Sequence, residues 1–354
     1  MTVGAPCPAD KNVATHSVIS IDAMSGDLGA EVVVRAANAS LELHPNLEII
    51  LVGDETELND LTTRIVGNNN QLSIVGSTEV VGMSEGPADA LRKKKDSSMR
   101  VAVNLVKEGK AQACISAGNT GALMATSRFV LKMLPGIDRP AIISHLPSTN
   151  GHTYMLDLGA NVDSTAEHLR DFAVMGSELA SAVDNIKNPS VALLNVGAEE
   201  IKGNDQVRKA AALLVKSDLN YVGFAEGDDI FLSDIDVIVC DGFVGNVSLK
   251  SSEGIAKLVS HTLKNAFKAN LYTMLIALLA APVLKSFKKT FDPGRYNGAS
   301  LLGLRGIVIK SHGGADADAF ANAINIAVLE VEKQVPAAIT ARLEAILKQT
   351  SNNQ

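Results

Sequence analysis

Ala113-Cys-Ile-Ser-Ala-Gly-Asn-Thr-Gly121 joins a short apolar strand to a Gly/Asn turn and then to the start of a helix. The same arrangement returns at residues 154–163, 192–199 and 237–246. Glycine lets the backbone approach a ligand closely, and the helix that follows points free N–H groups and a positive dipole end at it. Turns of this kind predict an enzyme that binds a small molecule carrying phosphate or carbonyl groups.

Apolar strands alternate with helical segments along most of the chain. Strands are predicted at residues 18–22, 47–52, 141–145, 191–194, 236–239 and 304–309. Such strands, separated by helices, predict a layered, Rossmann-like α/β fold, in which a mainly parallel sheet carries helices on both faces. We expect a flexible N-terminal lead over residues 1–16 and one catalytic domain over residues 17–349, with either one lobe or two.

The composition of the chain restricts the classes of partner and the cellular compartment that we expect. The chain has 354 residues, a formal charge of −7, 4% aromatic residues and no Trp. These values disfavour nucleic acid as a partner, because binding through the whole surface needs positive charge and single strands need aromatic platforms. The three cysteines are widely spaced and form no C-x-x-C pair, and residues 1–15 do not resemble a signal peptide. A cytoplasmic protein is expected.

Helix starts and acidic residues give further predictions. Ser164-Thr-Ala-Glu167 predicts a capping box, and Asn204 is expected to cap the next helix. Asp22-Ala-Met-Ser-Gly-Asp27 places two carboxylates around a glycine. They are candidates to hold a metal; alternatively, Asp27 caps a helix and Asp22 is a structural acceptor. Since the histidines lack metal-ligand spacing, no metal site is predicted.

The Gly/Asn turns supply the candidate site residues. Ser116-Ala-Gly-Asn-Thr-Gly121 matches neither a P-loop nor a dinucleotide fingerprint, so no nucleotide is predicted; it is either a ligand site or an ordinary strand-to-helix turn. The catalytic candidates are Asn119, Asn161, Lys202 and Asn246, and the substrate-binding candidates are Asp22, Ser116, Gly118, Thr120, Gly121, Asn195 and Gly245. We expect Asn119, Thr120, Asn161, Lys202 and Asn246 to line one pocket at the carboxyl ends of the strands.

Two charged segments allow a structural or a functional interpretation. Arg92, Lys93, Lys94 and Lys95 form either a solvated helix end or a docking site for phosphate or for an acidic carrier protein. Residues 195–204 place Lys202 near Glu199 and Glu200, which favours either structural ion pairs or anion binding.

The segment around residues 264–289 is apolar, with lysines on both sides. Leu271, Leu275 and Leu279 lie in a run that is too short to cross a bilayer, which needs about 20 apolar residues. Pro282 is expected to kink or end the helix. The segment therefore predicts either a helix–turn–helix tip that touches a membrane surface or an apolar face buried in the core or a dimer.

Several stretches together resemble the bacterial acyl-ACP:phosphate acyltransferase family over roughly residues 17–335. They are Ile21-Asp-Ala-Met24, Ala90-Leu-Arg-Lys-Lys-Lys-Asp-Ser-Ser-Met99, Ser116-Ala-Gly-Asn-Thr-Gly-Ala122, Leu156-Asp-Leu-Gly-Ala-Asn161, Asn195-Val-Gly197, Glu200-Ile-Lys-Gly203, Asp241-Gly-Phe-Val-Gly-Asn246 and Tyr296-Asn-Gly-Ala299. The resemblance implies a fold similar to the isocitrate/isopropylmalate dehydrogenases and the phosphate acetyltransferases. It also implies a homodimer without metal or nucleotide cofactor.

The resemblance implies a reaction in which inorganic phosphate displaces acyl carrier protein from a long-chain acyl thioester. The acyl phosphate would pass to a membrane glycerol-3-phosphate acyltransferase, which places the protein peripherally at the inner face of the cell membrane. Phosphate is already a nucleophile at neutral pH, so the turns need only orient the reactants and stabilise the oxyanion. The alternatives are an isopropylmalate-type, metal- and NAD-dependent oxidoreductase on the same fold, and a non-catalytic scaffold at the membrane surface.

Overall fold

A computed structural model describes residues 16–199, 201–290 and 293–352. Of the predicted lead over residues 1–16, only His16 lies among the described residues. The described residues form one sheet of eleven strands: β1 (Ser17–Asp22), β2 (Leu47–Gly53), β3 (Leu72–Gly76), β4 (Ala113–Ser116), β5 (Ala141–Ser148), β6 (Gly151–Leu156), β7 (Ser190–Leu194), β8 (Asn220–Ala225), β9 (Val237–Val239), β10 (Ala299–Leu302) and β11 (Ile307–Lys310).

Thirteen α-helices connect and cover these strands within the described residues. They are α1 (Ala30–Leu43), α2 (Glu55–Ile65), α3 (Pro87–Lys93), α4 (Ser98–Lys107), α5 (Thr120–Leu131), α6 (Ala166–Asp184), α7 (Asp205–Leu214), α8 (Asp229–Leu232), α9 (Gly242–Phe267), α10 (Leu271–Leu279), α11 (Ala281–Thr290), α12 (Ala317–Glu332) and α13 (Val335–Asn352).

The sheet is mainly parallel, but its two halves run in opposite directions. The strand order is β3-β2-β1-β4-β11-β10-β5-β6-β9-β7-β8. The pairs β11–β10, β10–β5 and β5–β6 are antiparallel, and the other pairs are parallel. Consequently β6, β9, β7 and β8 end at the edge opposite to that of β1 and β4. The predicted mainly parallel sheet is confirmed, whereas the prediction did not include this reversal.

Alternating side chains give the sheet two buried faces. In β1, Ile19 and Ile21 pack with α1 and α12 on one face, while the neighbouring residues point to the other face. Cys114 of β4 joins a second apolar cluster with α4 and α5. A third cluster covers β5 to β9 with α6, α7 and α13. Helices therefore lie on both faces, as the continuous apolar strands predicted.

The helix starts agree with the sequence in part. Asn204 caps α7 by accepting a hydrogen bond from the N–H of Val207 at 2.9 Å, as predicted. A capping box opens α6, but its cap is Thr165 rather than Ser164. Asp27 does not cap α1, because the capping position is Gly29, without a side-chain bond. Both predictions were off by only one or two residues along the chain.

Helices α9 to α11 carry an exposed apolar surface. No residue of α10 is buried, and Leu271 and Leu279 are 85% and 76% exposed. Helix α10 ends at Leu279, and Pro282 lies in the first turn of α11, so the predicted helix end near this proline is confirmed. None of the described helices is both long and apolar enough to span a bilayer.

A buried carboxyl group on α12 makes stability depend on pH. Glu330 is 2% exposed and accepts a hydrogen bond from the hydroxyl of Ser300 at 3.1 Å. Burial raises the pKa of Glu330 from 4.5 to about 8. Between these two pH values the unfolded chain releases the proton that the folded chain keeps. Stability is therefore lost as the pH rises through this window.

The variant Glu330→Gln keeps a neutral acceptor and removes this titration. We expect its free energy of unfolding, relative to wild type, to increase by an amount on the order of a few kcal/mol between about pH 5 and pH 8. Urea unfolding at several pH values measures the difference. Glu332→Gln, on the same helix but exposed, is the matched control. An unchanged difference across the pH range would show that Glu330 does not titrate there.

Candidate active site

The turn after β6 is built around the buried carboxylate of Asp157. Its Oδ1 accepts hydrogen bonds from the backbone N–H groups of Ile142, Gly159 and Ala160 at 2.9–3.1 Å. Its Oδ2 accepts from the backbone N–H and the side-chain Nδ2 of Asn161 at 2.7 and 2.9 Å. Burial raises the pKa of Asp157, and these five donated bonds oppose the rise. One side chain thus holds the turn and the start of β5.

Helix α9 begins directly against this turn. The N–H of Gly242 donates to the carbonyl of Asn161 at 2.9 Å. A Cβ at Gly242 would collide with the same carbonyl, and one at Gly245 would collide with the backbone oxygen of Asp157. Glycine is therefore required at both positions for close approach. Gly245, predicted to bind substrate, packs α9 onto the turn.

A pocket of about 320 Å³ lies between α5 and the turn after β6. Its lining residues are Thr120, Gly121, Met124, Ala125, Arg128, Arg139, Pro140, Ile142, Gly159, Ala160 and Asn161. Three predicted site residues, Thr120, Gly121 and Asn161, are thus brought together. The pocket is lined by α5 from its first residue Thr120 as far as Arg128, and by the turn after β6 from Gly159 to Asn161.

The side chains of Asn119 and Asn161 are fixed within the protein. Oδ1 of Asn119 accepts from the N–H of Ala122 at 3.0 Å and caps α5, while its Nδ2 donates to the carbonyls of Met83 and Glu85. Nδ2 of Asn161 donates to the carbonyl of Pro140 at 2.7 Å, besides its bond to Asp157. These bonds make both asparagines positioning residues for the pocket wall.

Thr120 and Asn246 have side chains that remain available to a ligand. Both are exposed, and neither side chain forms a hydrogen bond with another residue in the part of the chain that the structure describes. Asn246 lies beside Gly159, where a Cβ would stand 3.4–3.6 Å from the Asn246 side chain. Asn246 therefore stands next to the pocket lining.

Asn195 and Lys202 form a separate loop at the same edge of the sheet. Nδ2 of Asn195 donates to the carbonyls of Gly197 and Lys202 at 3.0 and 3.3 Å. Nζ of Lys202 pairs with Glu199 at 2.6 Å, and this pairing raises the pKa of Lys202. β7 is two strands from β6, so the two turns leave the edge roughly 10 Å apart. An exposed ion pair is weak, so Lys202 can exchange Glu199 for a bound anion.

A second polar cluster lies where β1, β4 and β11 end. The hydroxyl of Ser116 donates to Oδ2 of Asp22 at 2.6 Å and accepts from the N–H of Gly118 at 3.1 Å. Asp22 and Ser116 are buried, and Asp22 Oδ1 has no partner among the described residues. Asp22 is thus a structural acceptor, the second of the two roles predicted for it. These three substrate-binding candidates form the floor of the turn.

Lys310, at the end of β11, belongs to this second cluster. Its Nζ donates to the carbonyls of Ala117 and Ser311. Burial and the charge of Lys250 on α9 lower the pKa of Lys310 to about 8, against the opposing effect of Asp22 and Asp27. Among the described residues, no group of three or more His, Cys, Asp or Glu side chains lies close enough to hold a metal.

The sequence interpretation missed Asp157, Arg128, Arg139 and Lys310. Asp157 lies in the Gly/Asn turn at residues 154–163, but an acidic residue after a strand does not by itself indicate that five N–H groups surround its carboxylate. Arg128 and Arg139 lie outside the Gly/Asn turns and reach the pocket only through the path of α5 and β5. The Gly/Asn turns form a pattern that is recognisable in the sequence, whereas these residues on helices and near strand starts belong to no such pattern.

The cationic run at residues 92–95, which spans the end of α3, is partly neutralised by acidic neighbours. Lys93 pairs with Asp89 at 2.8 Å and Lys94 with Glu85 at 3.4 Å, and Lys94 also donates to the carbonyl of Val80. Arg92 and Lys95 are exposed and form no ion pair within the described residues. Lys93 and Lys94 therefore agree with the structural interpretation of this run.

Sequence comparisons identify close relatives across nearly the whole chain. Residues 17–338 match the model of a family described as Fatty acid synthesis protein. The chain is similar to the phosphate acyltransferase of Methylococcus capsulatus, with 60% identity over 92% of this chain and 97% of the relative. It is also similar to the phosphate acyltransferase of Nitrosococcus oceani, with 59% identity over 94% and 98%.

Solved structures share the fold at low sequence identity. A phosphotransacetylase from Streptococcus pyogenes aligns with a TM-score of 0.60 and 20% identity, over 89% of this chain and 94% of that one. A 4-hydroxythreonine-4-phosphate dehydrogenase from Klebsiella pneumoniae aligns with a TM-score of 0.53 and 14% identity, over 91% and 100%. The predicted layered α/β fold is confirmed. The specific likeness to isocitrate and isopropylmalate dehydrogenases stays a prediction.

Asp157→Asn tests whether this carboxylate organises the pocket. The amide would place an NH₂ group against N–H donors, and burying an unsatisfied donor is costly. We expect a loss of about 2 kcal/mol or more in the free energy of unfolding. Urea denaturation measures it, with Asp163→Asn as an exposed control with the same charge change. Equal stability of the two variants would contradict the assignment.

Proposed function

The chain belongs to the family of the fatty acid synthesis proteins, and we propose that it transfers an acyl group to phosphate, as its relatives named phosphate acyltransferase do. The chain covers 97% and 98% of the length of these two relatives. The oxidoreductase alternative is not favoured, since the close relatives are acyltransferases. The dehydrogenase of similar structure, at 14% identity, shows a shared fold alone.

The observation that carries the proposal is the chemistry of the pocket lining. Two arginines, Arg128 and Arg139, and the N-terminal residues of α5 surround the pocket, and no carboxylate is among its described lining residues. The nearby charge of Asp157 is enclosed by N–H donors. Phosphate carries negative charge, and the attacked carbonyl oxygen gains it, so both are stabilised there.

The reaction needs positioned reactants rather than a protein nucleophile. A phosphate oxygen attacks the carbonyl carbon of the thioester, and the C–S bond breaks. The sulfur leaves as the carrier thiol with a proton from hydrogen phosphate, and an acyl phosphate remains. Asn246 and Thr120 donate to the carbonyl oxygen as it becomes negative. Arg128 and Arg139 hold the phosphate in the pocket, and Lys202, released from Glu199, adds positive charge at the same edge of the sheet. Well-aligned reactants of this kind react several orders of magnitude faster than free ones.

The described cysteines support direct attack by phosphate. Cys114 and Cys240 are both buried, and burial raises the pKa of each thiol. A thiol with a raised pKa is a poor nucleophile, because the thiolate is the reactive form. The hydroxyl of Ser116 is equally buried and is bonded to Asp22. None of these three side chains reaches the pocket as an acyl acceptor.

Acyl carrier protein is the proposed donor of a long-chain acyl group. The predicted cationic run extends this proposal, since Arg92 and Lys95 keep exposed charges that attract an acidic carrier. The acyl phosphate is amphiphilic, which suits delivery to a membrane glycerol-3-phosphate acyltransferase. The proposed location is cytoplasmic, with peripheral contact at the inner face of the cell membrane.

The exposed apolar residues of α9 to α11 support a homodimer and a membrane contact. Phe243, Ile255 and Leu258 on α9 are more than 60% exposed, which a second copy of the chain would cover. The tip formed by α10 and the start of α11 exposes leucines beside Lys268 and Lys285. Apolar residues flanked by lysines suit insertion at an anionic lipid surface.

The reaction is tested with purified protein, palmitoyl-loaded acyl carrier protein and inorganic phosphate. We expect free carrier thiol and an acyl phosphate that reacts with hydroxylamine, in equal amounts, because one is formed for each of the other. Thiol release is measured colorimetrically and acyl phosphate as the hydroxamate. The control omits phosphate and should release no thiol. Thiol release without phosphate would indicate a thioesterase and contradict the proposed function.

The membrane contact is tested with a double variant, Leu275→Glu and Leu279→Glu. Charged groups on the apolar tip should prevent insertion, so sedimentation with anionic liposomes should be lost. Activity on soluble substrates and dimerisation should persist. Val215→Glu, which alters an apolar residue that is 71% exposed on another surface, should sediment like wild type. If the double variant unfolds or dissociates, the segment has a structural role instead, and if it still sediments, the membrane contact lies elsewhere.

A further inference from the structure

An exposed aromatic side chain stands among cations at the end of α5. The side chain of Phe129 is 54% exposed. The guanidinium carbon of Arg100 lies 5.2 Å from the centre of its ring, and Nζ of Lys132 lies 4.8 Å from it. Both distances are within the range of cation–π interactions. Aromatic residues and arginine that stand together on a surface are typical of the anchors of protein interfaces.

The cations around Phe129 lack carboxylate partners. Within the part of the chain that the structure describes, no ion pair involves Arg100, Arg128, Lys132, Arg139 or Arg305. Their polar contacts are neutral: Nε of Arg100 bonds Oδ1 of Asn104, Arg128 bonds the carbonyl of Asp138, and Nε of Arg305 bonds the carbonyl of Met133. The backbone N–H of Arg305 also donates to the carbonyl of Lys132 at 3.1 Å, which places Arg305 beside this group.

Elsewhere on the surface, several cations are neutralised by acidic neighbours. Arg35 and Arg64 share Glu31, and Arg208 pairs with Asp205. The whole chain has a formal charge of −7. The distinctive feature of this surface is that several unpaired cations gather around one exposed aromatic ring. It favours an acidic partner.

This surface is continuous with the pocket. Met124, Ala125 and Arg128 of α5 line the pocket, and Phe129 is the next residue of the same helix. One helical turn rises about 5.4 Å, so Phe129 stands within roughly 10 Å of the pocket lining. A protein bound over Phe129 would hold a tethered acyl group at the pocket mouth.

We propose that Arg100, Phe129, Lys132 and Arg305 form the docking surface for the acidic acyl carrier, with Phe129 as its anchor. We name these four residues the Phe129 surface. The proposal rests on the acyl transfer proposed above and identifies where its donor binds. It assigns docking to residues outside the predicted run 92–95, in which Lys93 and Lys94 are held by acidic neighbours. Arg92 and Lys95 then serve at the periphery.

The test compares Phe129→Ala and Lys132→Glu with wild type in steady-state kinetics. We expect each variant to raise the KM for palmitoyl carrier protein about tenfold, because it removes an anchor or reverses a charge at the interface. The KM for phosphate should stay unchanged. With palmitoyl pantetheine, which has no carrier protein, both variants should match wild type. Lys187→Glu carries the same charge change on an exposed loop away from α5 and should match wild type throughout.

The outcomes separate this proposal from the proposed function. If wild type forms no acyl phosphate, the function itself fails. If wild type is active but both variants keep a normal KM for the carrier, the carrier docks elsewhere and the Phe129 surface is overturned. Equal losses with the carrier substrate and with palmitoyl pantetheine would also overturn it, because the residues would then shape the pocket. Circular dichroism checks that both variants are folded.

Discussion

The carboxylate of Asp157 is the constraint on which the site depends. Five N–H groups from β5, the turn after β6 and Asn161 converge on it, and α9 begins on the carbonyl of Asn161. The same contacts that satisfy a buried charge therefore place the pocket wall and the helix that carries Asn246. Because every donor is an N–H group, the arrangement stabilises the ionised carboxylate while presenting little negative charge to the pocket.

The reversal of strand direction decides at which edge of the sheet each Gly/Asn turn leaves. Strands β6, β9 and β7 lie side by side and end at one edge, so the turns with Asn161, Asn246 and Lys202 leave the sheet together. The turn after β4 leaves the other edge, and α5, which begins there, lines the same pocket as the turn after β6. The start of α5 and the arginines of the pocket are where we propose that phosphate and thioester meet. The unpaired cations around Phe129 continue from this pocket along α5.

The sequence was sufficient for the layered α/β fold, because apolar strands and capped helices alternate along the chain and depend on local periodicity. The β5–β6 hairpin was missed, although Asn150-Gly151 carries a typical hairpin signal and the loop joins Ser148 to Gly151. Of the five residues predicted to line one pocket, Thr120 and Asn161 are among its lining residues, whereas Asn119, Lys202 and Asn246 are not. The sequence could not show that the side-chain amides of Asn119 and Asn161 are hydrogen-bonded within the protein, whereas that of Asn246 is free, because only tertiary contacts decide this.

The role of the free Asn246 amide is tested most directly by replacing Asn246 and Asn119 separately. Asn246→Ala removes a free amide beside the pocket, and loss of one oxyanion donor typically costs about 100- to 1000-fold in turnover. We predict such a fall in kcat with an unchanged free energy of unfolding. Asn119→Ala, by contrast, should lower the free energy of unfolding by about 1 kcal/mol, because it removes the α5 cap. The measurement is kcat for acyl phosphate formation alongside urea unfolding of both variants. Near-normal kcat for Asn246→Ala would place the chemistry elsewhere on the protein.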